Sequence, residues 1–337
     1  MARDNTPMAA TIHRAALRTA SRLGVLPCAK QLADRAVADT AGTMDDVSIL
    51  LSRLALGLPF AFTHFMDGEI GALTWRQPGK HNCTMWSFLK TTNCTAQATP
   101  NLNQVYSAEL QGAIGRAMRT KHPLLYAGVP CTQVQRDIAR KALRVIPNPF
   151  RHRTLGALFH DGNYGGLCHI LALLLRRRAV RGSGIHLVVS EGADAKRFTA
   201  QLRLPLLRSV LRVPHKSSFR AYTGLANAMS GFAAGDIVIL CCGMLGRILA
   251  TAWVHQQPTV TFLEVGSHFN PALYGRVTRW LPHVKLAYHR DANFTTGGGL
   301  GCAARLDLRA NLTWLETCVV AAEGTPSPRT SCPPGHM

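Results

Sequence analysis

Short apolar runs alternate with stretches of helical periodicity along most of this chain. Val47, Leu50, Leu51 and Leu54 recur at helical spacing. Thr43 suits their N-cap, Asp45 and Asp46 suit the first turn, and Gly57 suits the stop. Residues 59–65 then read as a short buried strand, and 69–73 as the start of a second helix. Further helices are expected over 106–119, 134–143, 167–178, 219–229 and 245–254. Strands are expected over 124–129, 154–159, 185–189, 236–241 and 259–265. Strands alternating with helices in this way predict an α/β fold, a mostly parallel sheet flanked by helices.

The outer parts of the chain carry a different pattern. Residues 1–42 form a leader with Arg14, Arg18, Arg22 and Lys30 and no acid between Asp4 and Asp34. That composition fits either an organelle-targeting segment or a surface helix. The α/β domain is expected over 43–290, with a C-terminal extension over 291–322. The Pro-, Ser- and Gly-rich tail over 323–337 is expected to be disordered. Residues 83–103 are polar and weakly patterned, as in a long loop. No apolar run approaches the length of a membrane-spanning helix.

Charge narrows the partners. There are 38 Lys and Arg against 18 Asp and Glu, a net charge of +20. Such a surface attracts anions: nucleic acid, anionic lipid or a phosphorylated small molecule. Aromatic residues make up only 7 %, which argues against a base-stacking surface and makes nucleic acid the weaker partner. The ten cysteines form no C-x-x-C pair and no zinc-finger spacing. Cys241 and Cys242 sit inside an apolar strand and are expected to be buried thiols.

Three strand ends carry candidate chemistry, since ligands of open α/β sheets bind at the carboxyl ends of strands. The first is "MDGEIGAL", where Asp67 and Glu69 flank a glycine. Carboxylates two residues apart can face a hard divalent cation, Mg2+ or Mn2+, or they can simply favour a helix amino terminus. The second is "GDIVILCCGMLGRIL". Gly243 and Gly246 make either a tight strand-to-helix turn or a phosphate cradle, with Arg247 as an added cation for a diphosphate. The third is "TFLEVGSHFNP", with Glu264, Gly266, Ser267 and His268. No G-x-S-x-G elbow is present, so a loop contacting a sugar or base through Ser267 and His268 is favoured over hydrolysis. Glu191, after the strand over 185–189, is either a catalytic base or a solvated loop acid.

In order along the chain, "PFAFTHFMDGEIGAL", "LLYAGVP", "FHDGNYGG", "HLVVSEGAD", "GDIVILCCGMLG" and "TFLEVGSHFNP" resemble the GT-D type glycosyltransferases, over roughly 47–274. The resemblance implies a single Rossmann-like domain, a nucleotide-sugar donor, a divalent metal (Mn2+ or Mg2+) and a hydroxyl acceptor such as a glycan. It implies that Asp67 and Glu69 are the D-x-E pair, acting in catalysis and metal binding. Asn163 matches an asparagine of the family's central loop, and Gly243, Gly266 and Ser267 would line the donor pocket. The chain departs from the family pattern in three places. His64 stands where arginine is usual, Glu264 where aspartate is common, and "CCGMLG" replaces a Gly-Pro-Thr turn. Two other readings of the same residues are a basic nucleic-acid-binding α/β protein and a relative that binds a nucleotide sugar without transferring it.

Overall fold

The computed structural model describes residues 46–65, 67–74, 106–129, 139–143, 152–155, 164–215, 217–228, 231–266 and 268–275. In order, the elements are α1 (Asp46–Leu56), β1 (Ala61–His64), α2 (Asp67–Leu73), α3 (Ala108–Arg119), β2 (Leu125–Val129), β3 (His152–Leu155), α4 (Tyr164–Val180) and β4 (Ile185–Ser190). They continue with α5 (Ala195–Leu202), β5 (Ser209–Val213), a 3-10 turn (Ser218–Ala221), α6 (Tyr222–Ala228), β6 (Ile237–Cys241), α7 (Met244–Gln256), β7 (Thr261–Glu264) and α8 (Asn270–Tyr274). A further helical segment covers 139–143. The strands form one seven-stranded sheet in the order β3-β2-β1-β7-β6-β4-β5, parallel at every pairing. The expected α/β architecture is therefore the observed one. The leader, Thr43, residues 83–103 and everything after Gly275 lie outside the described residues.

Alternation along the strands explains the layering. Along β6 and the residue after it, Ile237, Ile239 and Cys241 enter one core, while Val238, Leu240 and Cys242 enter the other. A side chain on each face of a buried strand reads as the continuous apolar run seen in the sequence. The first core is shared with α1, α4, α5 and α8. On the opposite face α7 covers the middle strands, and α2, α3 and the start of α7 pack around Phe65 and Ala127. The helix ends follow ordinary capping chemistry. Ser107 accepts from the Leu110 amide at the start of α3, Asp194 accepts from the Arg197 amide at the start of α5, and Gly57 takes φ +70° after α1.

The topology places the site. β1 and β7 are neighbours. The chain leaves β1 into α2 on one face of the sheet and leaves β7 into α8 on the other. Where exits from adjacent parallel strands diverge, a crevice opens at their carboxyl ends.

The amino edge is closed by a polar clamp. Asp236, just before β6, accepts from the Gly184 amide at 2.7 Å, the Ala233 amide at 2.9 Å and Arg208 Nη1 at 3.1 Å. It also contacts His186 Nε2 at 3.0 Å, and His186 Nδ1 meets Ser209 Oγ at 2.7 Å. The Ser-His-Asp line has the composition of a hydrolytic triad. It lies at the edge away from the strand carboxyl ends, and four donors spread over the sheet's amino edge hold its aspartate. It ties β4, β5 and β6 together. Burial alone would raise the Asp236 carboxyl, but the Ala233 amide, His186, the Gly184 amide and Arg208 outweigh it, so its pKa lies below the ordinary value. The stability this gives is present above the ordinary aspartate range and is lost as pH falls through the lowered folded value. Asp236→Asn keeps the volume but replaces one acceptor with a donor. It should cost about 2–4 kcal/mol at neutral pH. In urea unfolding, the gap between parent and variant should shrink as pH falls through the aspartate range; a gap independent of pH would contradict the clamp.

Candidate active site

Four buried polar residues form the floor of the β1/β7 crevice. His64 ends β1, Glu69 lies in α2, Arg247 in the first turn of α7, and Glu264 ends β7. Their exposures are 4, 3, 6 and 0 %. Arg247 Nε lies 2.8 Å from Glu69 Oε1 and 3.0 Å from the His64 carbonyl oxygen. Its Nη2 lies 2.8 Å from His64 Nε2, and its Nη1 3.4 Å from Glu264 Oε1. Glu264 Oε2 lies 2.6 Å from His64 Nδ1, and Glu264 Oε1 accepts from the Gly266 amide at 2.9 Å. The guanidinium therefore joins both lips of the crevice and its floor.

The hydrogen-bond pattern fixes a tautomer. A guanidinium only donates, so His64 Nε2 must accept. The ring proton of His64 then sits on Nδ1, facing Glu264. Glu264 is the more unusual acid. Complete burial would raise its pKa, but the Arg247 charge, with hydrogen bonds from the His64 ring and amide, brings it below the ordinary value. It is an anion held in the protein interior.

Two glycines make this packing possible. A Cβ on Gly246 would sit 3.1 Å from Glu264 Cγ and 3.3 Å from Leu240 Cβ, so the first turn of α7 lies tight against the sheet. Gly266, at φ +54°, turns the chain above His64, and a Cβ there would meet His64 Cε1 at 2.9 Å. Gly243 precedes α7 at φ +63° and is exposed, with nothing within 4 Å of the space a Cβ would take.

The sequence expectations divide against this geometry. Asp67, Glu69, Gly243 and Gly266 all follow β1, β6 or β7 at the same edge of the sheet. Asn163 and Ser267 lie outside the described residues. Asp67 and Glu69 both fall within α2, Asp67 as its first residue. Arg247 is not an open cation for a diphosphate, because it is buried between two carboxylates and His64. His268 is fully buried, edge-on to Phe269 at 5.1 Å, and not placed to contact a sugar. Glu191 is exposed at the carboxyl end of β4, and its amide donates to the Val213 carbonyl. Cys241 and Cys242 are free, buried thiols, as expected. Burial, and then the nearby Glu264 carboxylate, push the Cys242 pKa up, which leaves it a poor nucleophile.

Sequence reasoning missed the hub itself. The available signal was an arginine in the first turn after a glycine start, opposite a strand ending in glutamate. It also passed over Ser190 and Tyr274, whose hydroxyls bond to each other beside the carboxyl end of β4.

As to whether these residues fit a divalent metal, Glu69 does not fit as a direct ligand, since its carboxylate is buried against Arg247. Among the described residues no group of three or more His, Cys, Asp or Glu side chains is arranged to hold one.

The hub predicts an inverted pH response. In the parent, the low folded pKa of Glu264 gives stability that is lost as pH falls. Arg247→Met leaves two carboxylates buried without their cation, at a cost of about 3–5 kcal/mol at neutral pH. Burial then raises the Glu264 pKa, so acidification should partly restore this variant while it destabilises the parent. Adding Glu264→Gln should recover part of the loss. Urea midpoints that fall with pH alike in parent and variant would contradict the arrangement.

No protein-family model and no curated protein matches the chain. Three solved chains match its fold. One is described as a distinct glycosyltransferase fold in the highly conserved domain of unknown function 1792, at 14 % identity, TM-score 0.42, over 66 % of this chain and 78 % of that one. A selenomethionine form of that domain gives the same figures. Another, described as a new glycosyltransferase from Streptococcus sanguinis, matches at 12 % identity and TM-score 0.42, over 66 % of this chain and 81 % of that one. Similarity at this level is too slight to carry an argument about activity.

Proposed function

We propose that this protein transfers a sugar from a nucleoside diphosphate sugar to a hydroxyl acceptor. One observation carries the reading: three sequence-distant turns, at Asp67, Gly243 and Gly266, meet at the carboxyl ends of three adjacent strands, β1, β6 and β7, above a buried ionic floor. That is where an open parallel sheet binds nucleotides. The resemblance of the same segments to GT-D type enzymes points the same way.

In this reading the exposed turn at Gly243 and the amino terminus of α7 receive the diphosphate. Backbone amides and the helix dipole favour an anion there. Gly266 and Ser267 line the donor side, with Asn163 contributing from the central loop. Asp67, the first residue of α2, takes the role of the acid at the donor. A divalent cation at Asp67, Mn2+ or Mg2+, would neutralise the departing diphosphate. Glu69 acts behind it, holding Arg247 and through it His64 and Glu264. Proton removal from the acceptor is assigned to no residue.

A second reading has a specific observation in its favour. Glu69, half of the D-x-E pair, is committed to an internal ion pair. A protein that binds a nucleotide sugar without transferring it would need no more than that.

Thermal shift with a panel of nucleoside diphosphate sugars, with and without Mn2+, is the first test, because a ligand of the native state raises the melting temperature. Asp67→Asn should abolish the metal-dependent shift and lower transfer by about a hundredfold or more, while leaving unliganded stability unchanged. Glu69→Gln should instead lower stability by about 1–3 kcal/mol, since it weakens a charged hydrogen bond to Arg247. A donor-dependent shift without turnover selects the binding-only reading. Turnover of Asp67→Asn within about threefold of the parent, less than one kcal/mol, rejects Asp67 as part of the site.

A further inference from the structure

We propose that the amino edge of the sheet around β4 and β5 is a docking surface for an anionic lipid bilayer. The proposal is independent of the transfer reading, since it concerns the opposite edge of the sheet. Among the described residues two large hydrophobic side chains stand out in solvent, Val180 at 85 % and Leu206 at 96 % exposure. Val180 ends α4, and Leu206 lies in the connection from α5 to β5.

These two segments lie side by side. The Ser183 amide donates to the Arg178 carbonyl at 3.0 Å, and the Arg208 amide to the Ile185 carbonyl at 2.8 Å. A Cβ on Gly184 would come within 2.7 Å of the Arg208 guanidinium. Each segment brings an exposed arginine to the edge, Arg181 from one and Arg203 from the other, while Arg178 donates to the Gly235 carbonyl and Arg208 is held by Asp236. No acid occurs over 162–190 or over 195–235. Asp236, the acid at this edge, is 2 % exposed and already held by Gly184, Ala233, His186 and Arg208. Glu191 and Asp194 follow the other end of β4.

A helix dipole accounts for arginines at the end of α4. It accounts neither for the exposed Arg203 on a separate segment nor for a bare aliphatic side chain on each of the two segments. An anionic bilayer matches both features: its phosphates and carboxylates meet the guanidiniums, and its acyl boundary takes the aliphatic groups. RNA matches only the first, since a base stacks on a flat face that valine and leucine do not offer.

Co-sedimentation of the full chain with lipid vesicles tests the surface. Binding is expected to vesicles of phosphatidylcholine mixed with phosphatidylserine, not to phosphatidylcholine alone, and should weaken as salt is raised. Val180→Ser with Leu206→Ser should weaken it by about tenfold or more. Arg181→Gln with Arg203→Gln should weaken it by about 25-fold, about fivefold for each cation. All four positions are exposed, so both variants should melt as the parent does. Failure of the parent to bind phosphatidylserine vesicles overturns the proposal without reference to any variant. Undiminished binding by both variants also overturns it. So does binding to polyuridylate that survives Val180→Ser/Leu206→Ser while vesicles are ignored, which would identify RNA as the partner.

Discussion

The guanidinium of Arg247 is the point on which the carboxyl side of this sheet depends. It reaches β1 through the His64 carbonyl and imidazole, α2 through Glu69 and β7 through Glu264. β1 and β7 are neighbours whose continuations part to opposite faces. A crevice between diverging chains has no continuous apolar fill, and charge takes its place. Removing such charges from water is costly, so the arrangement holds only because each carboxylate is met by the arginine and, for Glu264, by the Gly266 amide and His64 as well. Gly246 is part of the same constraint, because a side chain there would push Arg247 away from the sheet.

This has a consequence for chemistry. The charged floor ties together the elements that carry the turns at Asp67 and Gly266. Preorganised polar groups are worth most where water is excluded. His64 supplies no permanent cation at the end of β1, and the arginine from α7 brings one to its side.

The sequence made the buried strands legible and hid the marginal ones. β6 is buried at all five positions, and its unbroken apolar run marked it plainly. β5 is an edge strand with only Val213 fully buried, so "SVLRV" carried no run to read. α5 is eight residues long and buries Phe198 and Leu202. α8 is five residues long, too short for any period to show. At the site, glycines at strand ends were legible because a turn needs them. The partners of Arg247 were not, because they lie far apart in sequence. Arg247 and His268 were taken for ligand contacts since polar residues near a strand end usually face solvent. Here tertiary packing turned both inward.

Hydrogen exchange in the presence of a nucleoside diphosphate sugar and Mn2+ tests the central claim most directly. A ligand seated in the β1/β7 crevice must slow exchange in peptides spanning β1 to α2, β6 to α7 and β7 to α8, and leave β5 and the amino ends of β4 and β6 unchanged. Protection at all three strand exits together is the predicted result. Protection confined to the amino edge around Gly184, Arg208 and Asp236, or to none of the three exits, would contradict it.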